Sequence, residues 1–109
     1  ADENCIDSRN IPEIAHAFDG INIKLMKCGG LREAYRMIQM AREREMKIML
    51  GCMVETSVAI TAAAHLSPLV DYADLDGNIL TSNDPFDGVK VEDGMLVLPD
   101  GAGLGINLR

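Results

Sequence analysis

The stretch "GINIKLMKCGGLREAYRMIQMAREREMKIMLG", residues 20–51, decides the fold. It opens with a short alternating run in which Ile21 and Ile23 share one side and Asn22 and Lys24 the other, the period of two of a strand. After Gly29-Gly30, residues Leu31, Ala34, Tyr35, Ile38 and Ala41 recur at helical spacing with Arg and Glu between them, which predicts an amphipathic helix laid over a sheet. Met37 and Met40 read as core filler on that helix. "KIMLG", residues 47–51, closes the unit as an apolar run of the kind buried on both faces of a parallel sheet. Strand, helix, strand is the repeating unit of a parallel α/β fold.

The flanks extend the same pattern. Upstream, "RNIPEIAHAF", residues 9–18, predicts a short helix with Asn10 as N-cap and Pro12 in the first turn, where a missing N–H costs nothing. Downstream, "ETSVAITAAAH", residues 55–65, predicts a helix of small residues that Pro68 stops. "VDYADLDG", residues 70–77, predicts a further strand with Asp74 and Asp76 on one side and Ala73 and Leu75 on the other. "GVKVEDGMLVLPD", residues 88–100, reads as two short strands around an Asp-Gly hairpin turn, followed by a Gly-rich tail. Three or four parallel strands leave sheet edges unpaired. The expected fold class is therefore α/β, the C-terminal portion of a TIM-type (β/α) barrel, whose eight strands normally take about 250 residues, with a short β-hairpin tail. Residues 1–85 are expected to form the barrel part and residues 86–109 the hairpin and tail.

Composition narrows the function. Of 109 residues 48% are hydrophobic and 25% charged, values of an ordinary globular chain. A net charge of −7 argues against nucleic acid or an anionic membrane as partner, since both need concentrated Lys and Arg. No apolar run approaches the roughly 18 residues of a membrane span. The first fifteen residues are acidic, without the basic start and apolar centre of a secretion signal. The three cysteines, Cys5, Cys28 and Cys52, lack CxxC or zinc-ligand spacing and read as reduced thiols, so a cytoplasmic setting is expected. The chain starts at "ADENC" without Met, and a processed or truncated start is part of the expectation.

In a (β/α) barrel the active site lies at the C-terminal ends of the strands. Charged residues gather at such positions here: Asp2 and Glu3 before the first helix, Lys24 after "INI", Glu55 after "GCMV", and Asp74 with Asp76 after "DYA". Singly, most have plain readings. Asp2 is also a helix-approach carboxylate, Glu55 a first-turn acid favoured by a helix dipole, and the two aspartates loop acids before Gly77. Lys24 asks for more, because its parity with Asn22 points an ammonium group inward, where it needs carboxylates, a metal site or water. Burial and nearby cations would lower its pKa and make it a proton acceptor near neutral pH. Lys27 reads as a solvated loop or early-helix cation. Gly29-Gly30 alone, with no GxGxxG or P-loop spacing, is weak evidence for a phosphate site.

Taken together, "ADEN", "INIKLMKCGGLREA", "MLGCMVETSVAITAAAHL", "DLDG", "DPFDG" and "GAGLGI" resemble the C-terminal barrel segment of the enolase-superfamily dipeptide epimerases, the L-Ala-D/L-Glu epimerase group. The resemblance runs over essentially the whole chain; at "ADEN" the family commonly has "DES". It implies that the chain runs from the end of the fifth barrel strand through the eighth, and that residues 86–109 contact an N-terminal capping domain. It implies Asp2 as one carboxylate ligand of Mg²⁺, Lys24 as an acid/base lysine, and Asp74 with Asp76 as the pair that holds a dipeptide's free ammonium group. Cys52, Met53 and Glu55 would line the same cavity without a chemical step of their own. The implied chemistry is 1,1-proton transfer at the carbon beside the substrate carboxylate, with Mg²⁺ and a lysine base, as in enolase-superfamily sites generally. A Lys-x-Lys strand, two further metal carboxylates and the capping domain are absent from these residues, so the implied partners are the dipeptide and the remainder of the same enzyme, and a homo-oligomer is compatible with this. Two other readings stand beside it: a superfamily cycloisomerase or synthase, such as muconate cycloisomerase or o-succinylbenzoate synthase, and a non-catalytic α/β binding module.

Overall fold

The computed structural model describes residues 1–109. Its centre is a parallel sheet of β1 (Gly20–Ile23), β2 (Lys47–Leu50) and β3 (Tyr72–Ala73), in that spatial order. Gly20 to Ile23 lie opposite Lys47 to Leu50, and Met49 and Leu50 lie opposite Tyr72 and Ala73. Alternation then does the sorting: Ile21, Ile23, Ile48 and Leu50 are buried on one face. The other face carries the row Asn22, Met49 and Tyr72, which is only half-covered at Met49 and open at Tyr72. "KIMLG" is thus buried on one face and not on two.

The covering layer is α3 (Leu31–Glu43), which buries Ala34, Met37, Ile38 and Ala41. These positions follow i, i+3, i+4, i+7, one step round from the expected stripe. Tyr35 is 47% exposed as a result, while Met37 takes a fully buried place. α4 (Ser57–Ala64) adds Ile60, Ala63 and Ala64 to the same core. Its small residues allow a close approach, and its first N–H is satisfied from a distance: Ser57 N donates to Asp84 Oδ2 at 2.6 Å.

Elsewhere the local chemistry departs from the expected boundaries. The first helical segment is a 3₁₀ turn, Ser8–Asn10, running into α1 (Ile11–Ile14). Its cap is Asp7, whose side chain accepts from Arg9 N at 2.9 Å, while Asn10 is already helical. A further four-residue helix, α2 (Leu25–Cys28), follows β1 directly and ends where Gly29 takes φ 92°, a left-handed value suited to glycine. β3 covers only Tyr72–Ala73 of the expected "VDYADLDG" strand, because Asp76 turns to φ −102°, ψ 3° and starts a 3₁₀ turn over Gly77–Leu80.

The hairpin forms as expected, with β5 (Lys90–Glu92) antiparallel to β6 (Met95–Val97). Asp93 and Gly94 both take positive φ, 50° and 77°, as a type I′ turn requires. The tail then returns: β7 (Asn107–Leu108) pairs antiparallel with β4 (Phe86–Asp87). Val89 N donates to Thr61 Oγ1 at 2.8 Å, so the chain after β4 is fastened to α4. No helix is long and apolar enough to cross a membrane, and all three cysteines are free.

Candidate active site

Asp2 reaches the sheet because the chain start runs along the free edge of β1. Asn22 N donates to Ala1 O at 2.7 Å, and the Ala1 nitrogen donates to Gly20 O at 2.7 Å. Lys24 stands just past the C-terminal end of β1, still extended at φ −130°, ψ 128°. Its Nζ lies 2.9 Å from Asp2 Oδ2. Two residues expected together from the sequence are therefore together.

Lys27 is the correction. It was expected to be solvated, yet its side chain is only 7% exposed, against 17% for Lys24 and 32% for Asp2. Its Nζ donates to Asp2 Oδ1 at 2.6 Å, to Asp2 O at 2.8 Å and to Asn22 O at 2.9 Å. Three acceptors match the three donors of an ammonium group. The cause is α2: one helical turn after Lys24 carries Lys27 back over the strand end.

Asn22 completes the cluster by donating from Nδ2 to Asp2 Oδ2 at 3.2 Å. Its Oδ1 is buried without a partner. The amide lies over Gly51, where a Cβ would stand 2.6 Å from Oδ1, so glycine is what makes room for it.

The charges act on one another. Burial pushes the Asp2 carboxyl up, but the hydrogen bonds and charges of Lys27 and Lys24 outweigh it and hold its pKa at about 2. Lys24 is shifted the opposite way from expectation. Its hydrogen bond to Asp2 raises it, against a smaller lowering from burial, so in this pairing it is a firm ammonium ion.

The remaining expected residues form a second group at the ends of β2 and β3. Cys52 is half-buried, and burial raises its thiol while backbone N–H groups at Gly77 and Asp76 work against that. Cys52 Sγ lies close against Gly77 at the end of β3. Met53 is exposed, and Glu55 folds back on its own loop, its Oε1 accepting from Met53 N at 2.8 Å. Asp74 and Asp76 are exposed on either side of buried Leu75, and neither forms a salt bridge within the chain. Asp74 N donates to Leu50 O at 2.9 Å, which ties it to the sheet edge. Gly77 packs so closely that a side chain there would collide with the Met53 carbonyl and press on Cys52 Sγ.

No three His, Cys, Asp or Glu side chains converge as a complete metal site. Asp2 nonetheless suits one position on a hard divalent cation: it is a carboxylate held ionised and partly open to solvent. What the arrangement offers is one such carboxylate, an ammonium group beside it, and two uncompensated carboxylates across the same strand ends.

Known proteins with similar sequence and shape share this segment. Residues 1–109 match the family described as "Enolase C-terminal domain-like". The chain is 52% identical over 106 residues to the L-Ala-D/L-Glu epimerase of Bacteroides thetaiotaomicron, covering 97% of this chain and 28% of that protein. It superposes with a TM-score of 0.91 at 30% identity on the dipeptide epimerase of Cytophaga hutchinsonii, solved in complex with Mg and the dipeptide D-Ala-L-Val, covering 100% of this chain and 32% of that one. The N-succinyl Arg/Lys racemase of Bacillus cereus ATCC 14579 gives the same TM-score, 0.91, at 31% identity over 99% of this chain and 30% of the other. The chain thus spans about a third of the length of the relatives it matches.

Proposed function

The chain belongs to the enolase C-terminal domain-like family, and from that premise we propose that it supplies one wall of the active site of a Mg²⁺-dependent dipeptide epimerase. The observation that carries the reading is the pairing of Lys24 Nζ with Asp2 Oδ2 at 2.9 Å at the C-terminal end of β1. It puts an ammonium group and a carboxylate within one contact at the end of the strands where such folds do their chemistry, which supports reading them as an acid/base group and a hard anionic ligand. The 52% identity to an L-Ala-D/L-Glu epimerase supports an acidic dipeptide as substrate class.

In this reading Asp2 is one ligand, and the other protein ligands and a second lysine come from barrel strands outside these residues. A bound Mg²⁺ would act as a Lewis acid on the substrate carboxylate and stabilise the charge that develops when the α-proton leaves. Lys24 stands at one face of the α-carbon. As the free amine its Nζ takes the α-proton, breaking C–H and forming N–H; as the ammonium it returns a proton to that face. Its present pairing favours the ammonium form. Any ligand that occupies Asp2 Oδ2 removes the hydrogen bond that is the main cause of this shift, and so moves Lys24 towards the base form. Asp74 and Asp76, exposed and unpaired, would receive the substrate's α-ammonium group, while Cys52, Met53 and Glu55 shape the wall between. Residues 86–109 would contact the capping domain, a role supported by the exposed apolar side chains Val91, Met95 and Val97 of the hairpin. The free thiols are compatible with a cytoplasmic setting.

The test is to incubate the intact protein with Mg²⁺ and a dipeptide library in D₂O, with and without EDTA, and to follow α-proton exchange by mass. Mg²⁺-dependent exchange at the C-terminal residue of L-Ala-D/L-Glu or a relative is the expected result. No exchange with any dipeptide would defeat the reading. The likeness to an N-succinyl amino acid racemase favours a second reading, racemisation of N-acylated amino acids. Including N-succinyl-arginine in the library separates the two, since acylation removes the α-ammonium group that Asp74 and Asp76 would bind in a dipeptide.

A further inference from the structure

Two lysines share Asp2, but they do not hold it alike. Lys24 meets Oδ2 and forms no other hydrogen bond, so it can leave without stranding a buried donor. Lys27 meets Oδ1 and also the Asp2 and Asn22 carbonyls, with every donor used and almost no exposure. It therefore spans the chain start, the strand end and α2 with a single ammonium group. Asn22 Nδ2 approaches Oδ2 from within the sheet, its amide wedged over Gly51.

Resting on the reading of Asp2 as a cation ligand, we propose that Lys27 is a positioning residue which fixes the Asp2 carboxylate through Oδ1, so that Oδ2 alone is presented to a divalent cation and Lys24 alone is free to exchange. Simple electrostatics argues the other way. A buried cation about one carboxylate's width from a metal position repels the metal, and removing it would tighten binding if charge were all that mattered. Partners that orient a ligand have the opposite signature, since losing them typically weakens metal affinity 10- to 100-fold. The sign of the change therefore separates the two roles.

The experiment is a double-mutant cycle in the intact protein, read by electron paramagnetic resonance of free Mn²⁺ during titration and without any activity assay. Lys27→Met is expected to raise the Mn²⁺ dissociation constant by about 10- to 100-fold. In an Asp2→Asn background the same change is expected to have almost no further effect, because the residue acts through Asp2. Equal or tighter Mn²⁺ binding by Lys27→Met overturns the proposal, and so does an equal loss in the Asp2→Asn background, which would mark general destabilisation. If circular dichroism shows Lys27→Met unfolded, the cycle is run with Lys27→Gln, which keeps two N–H donors without the charge. Should that variant also be unfolded, the lysine is a structural tie and the proposal falls. A parent protein with no saturable Mn²⁺ binding would defeat the function proposed above, whereas saturable parent binding with an unaffected variant defeats only this inference.

Discussion

Lys24 and Lys27 illustrate what a sequence can say about single residues. Lys24 was legible because the strand period fixes its side, and an inward ammonium group demands a partner. Lys27 was not, because its role depends on a single helical turn too short to carry a periodic pattern. The direction of Lys24's pKa was also hidden in the sequence, since it depends on a carboxylate twenty-two positions away in the chain settling at 2.9 Å. Two predictions belong at this scale. On the function proposed above, Lys24→Ala is expected to abolish epimerisation by the intact protein, while deuterium exchange of one stereoisomer survives through the second lysine proposed for the other face; chiral chromatography with mass detection distinguishes the two, and undiminished epimerisation would remove Lys24 from the mechanism. Gly51→Ala places a methyl group against the Asn22 amide. It is expected to destabilise the protein by about 1–3 kcal/mol, as overpacking does, and to weaken Mn²⁺ binding by releasing Asn22 from Asp2, both measurable by denaturation and metal titration.

At the scale of elements, helices α3 and α4 and the Asp-Gly hairpin were readable because each carries its own signal in contiguous residues. Asn10 stands at the N-cap position of α1 but makes no cap bond to it, because its side chain accepts from Asp7 N at 3.3 Å and completes the capping box of the preceding turn. β3 came out short because the Asp-Leu-Asp-Gly run prefers a turn to a strand once Asp76 leaves the extended region. The β4–β7 pair and the capping of α4 by Asp84 join residues far apart in sequence, and no local pattern announces them. Asp84 also makes the stability depend on pH. Hydrogen bonding at Ser57, opposed by burial and helped by Phe86 N, holds its carboxyl below the usual carboxylate range. A depressed carboxylate pKa contributes stability that is complete above the unfolded value of about 4 and is lost as pH falls through the lower folded value. Asp84→Asn is therefore expected to lower the melting temperature at pH 7, with the gap to the parent closing in acid. Calorimetry between pH 7 and pH 3 measures this; a gap that stays constant would exclude the carboxylate as its cause.

For the whole molecule, the order of elements was enough to expect a parallel α/β sheet with helices on it, and the sheet has that topology. What order alone cannot convey is how unequal the two faces are. Helices seal Ile21, Ile23, Ile48 and Leu50, while the row Asn22, Met49 and Tyr72 lies towards what would be a barrel interior. An apolar face left half-covered favours further packing. Tyr72→Ser, which removes the most exposed apolar member of that row, is expected to destabilise the intact protein if the row is packed in a closed barrel, and to leave this chain expressed alone nearly unchanged. Parallel chemical denaturation of both would measure the difference.

Gly77 lies against the Met53 carbonyl with no room for a side chain, and this limits how the site can be redesigned. The loops after β2 and β3 interlock there, so a substitution in one is expected to shift the other. A combinatorial library that varies Met53 and Glu55 in search of new substrates would meet strong epistasis from positions 76–78. Single substitutions in one loop would mostly read out as losses, and useful variants would surface only when both loops are randomised together.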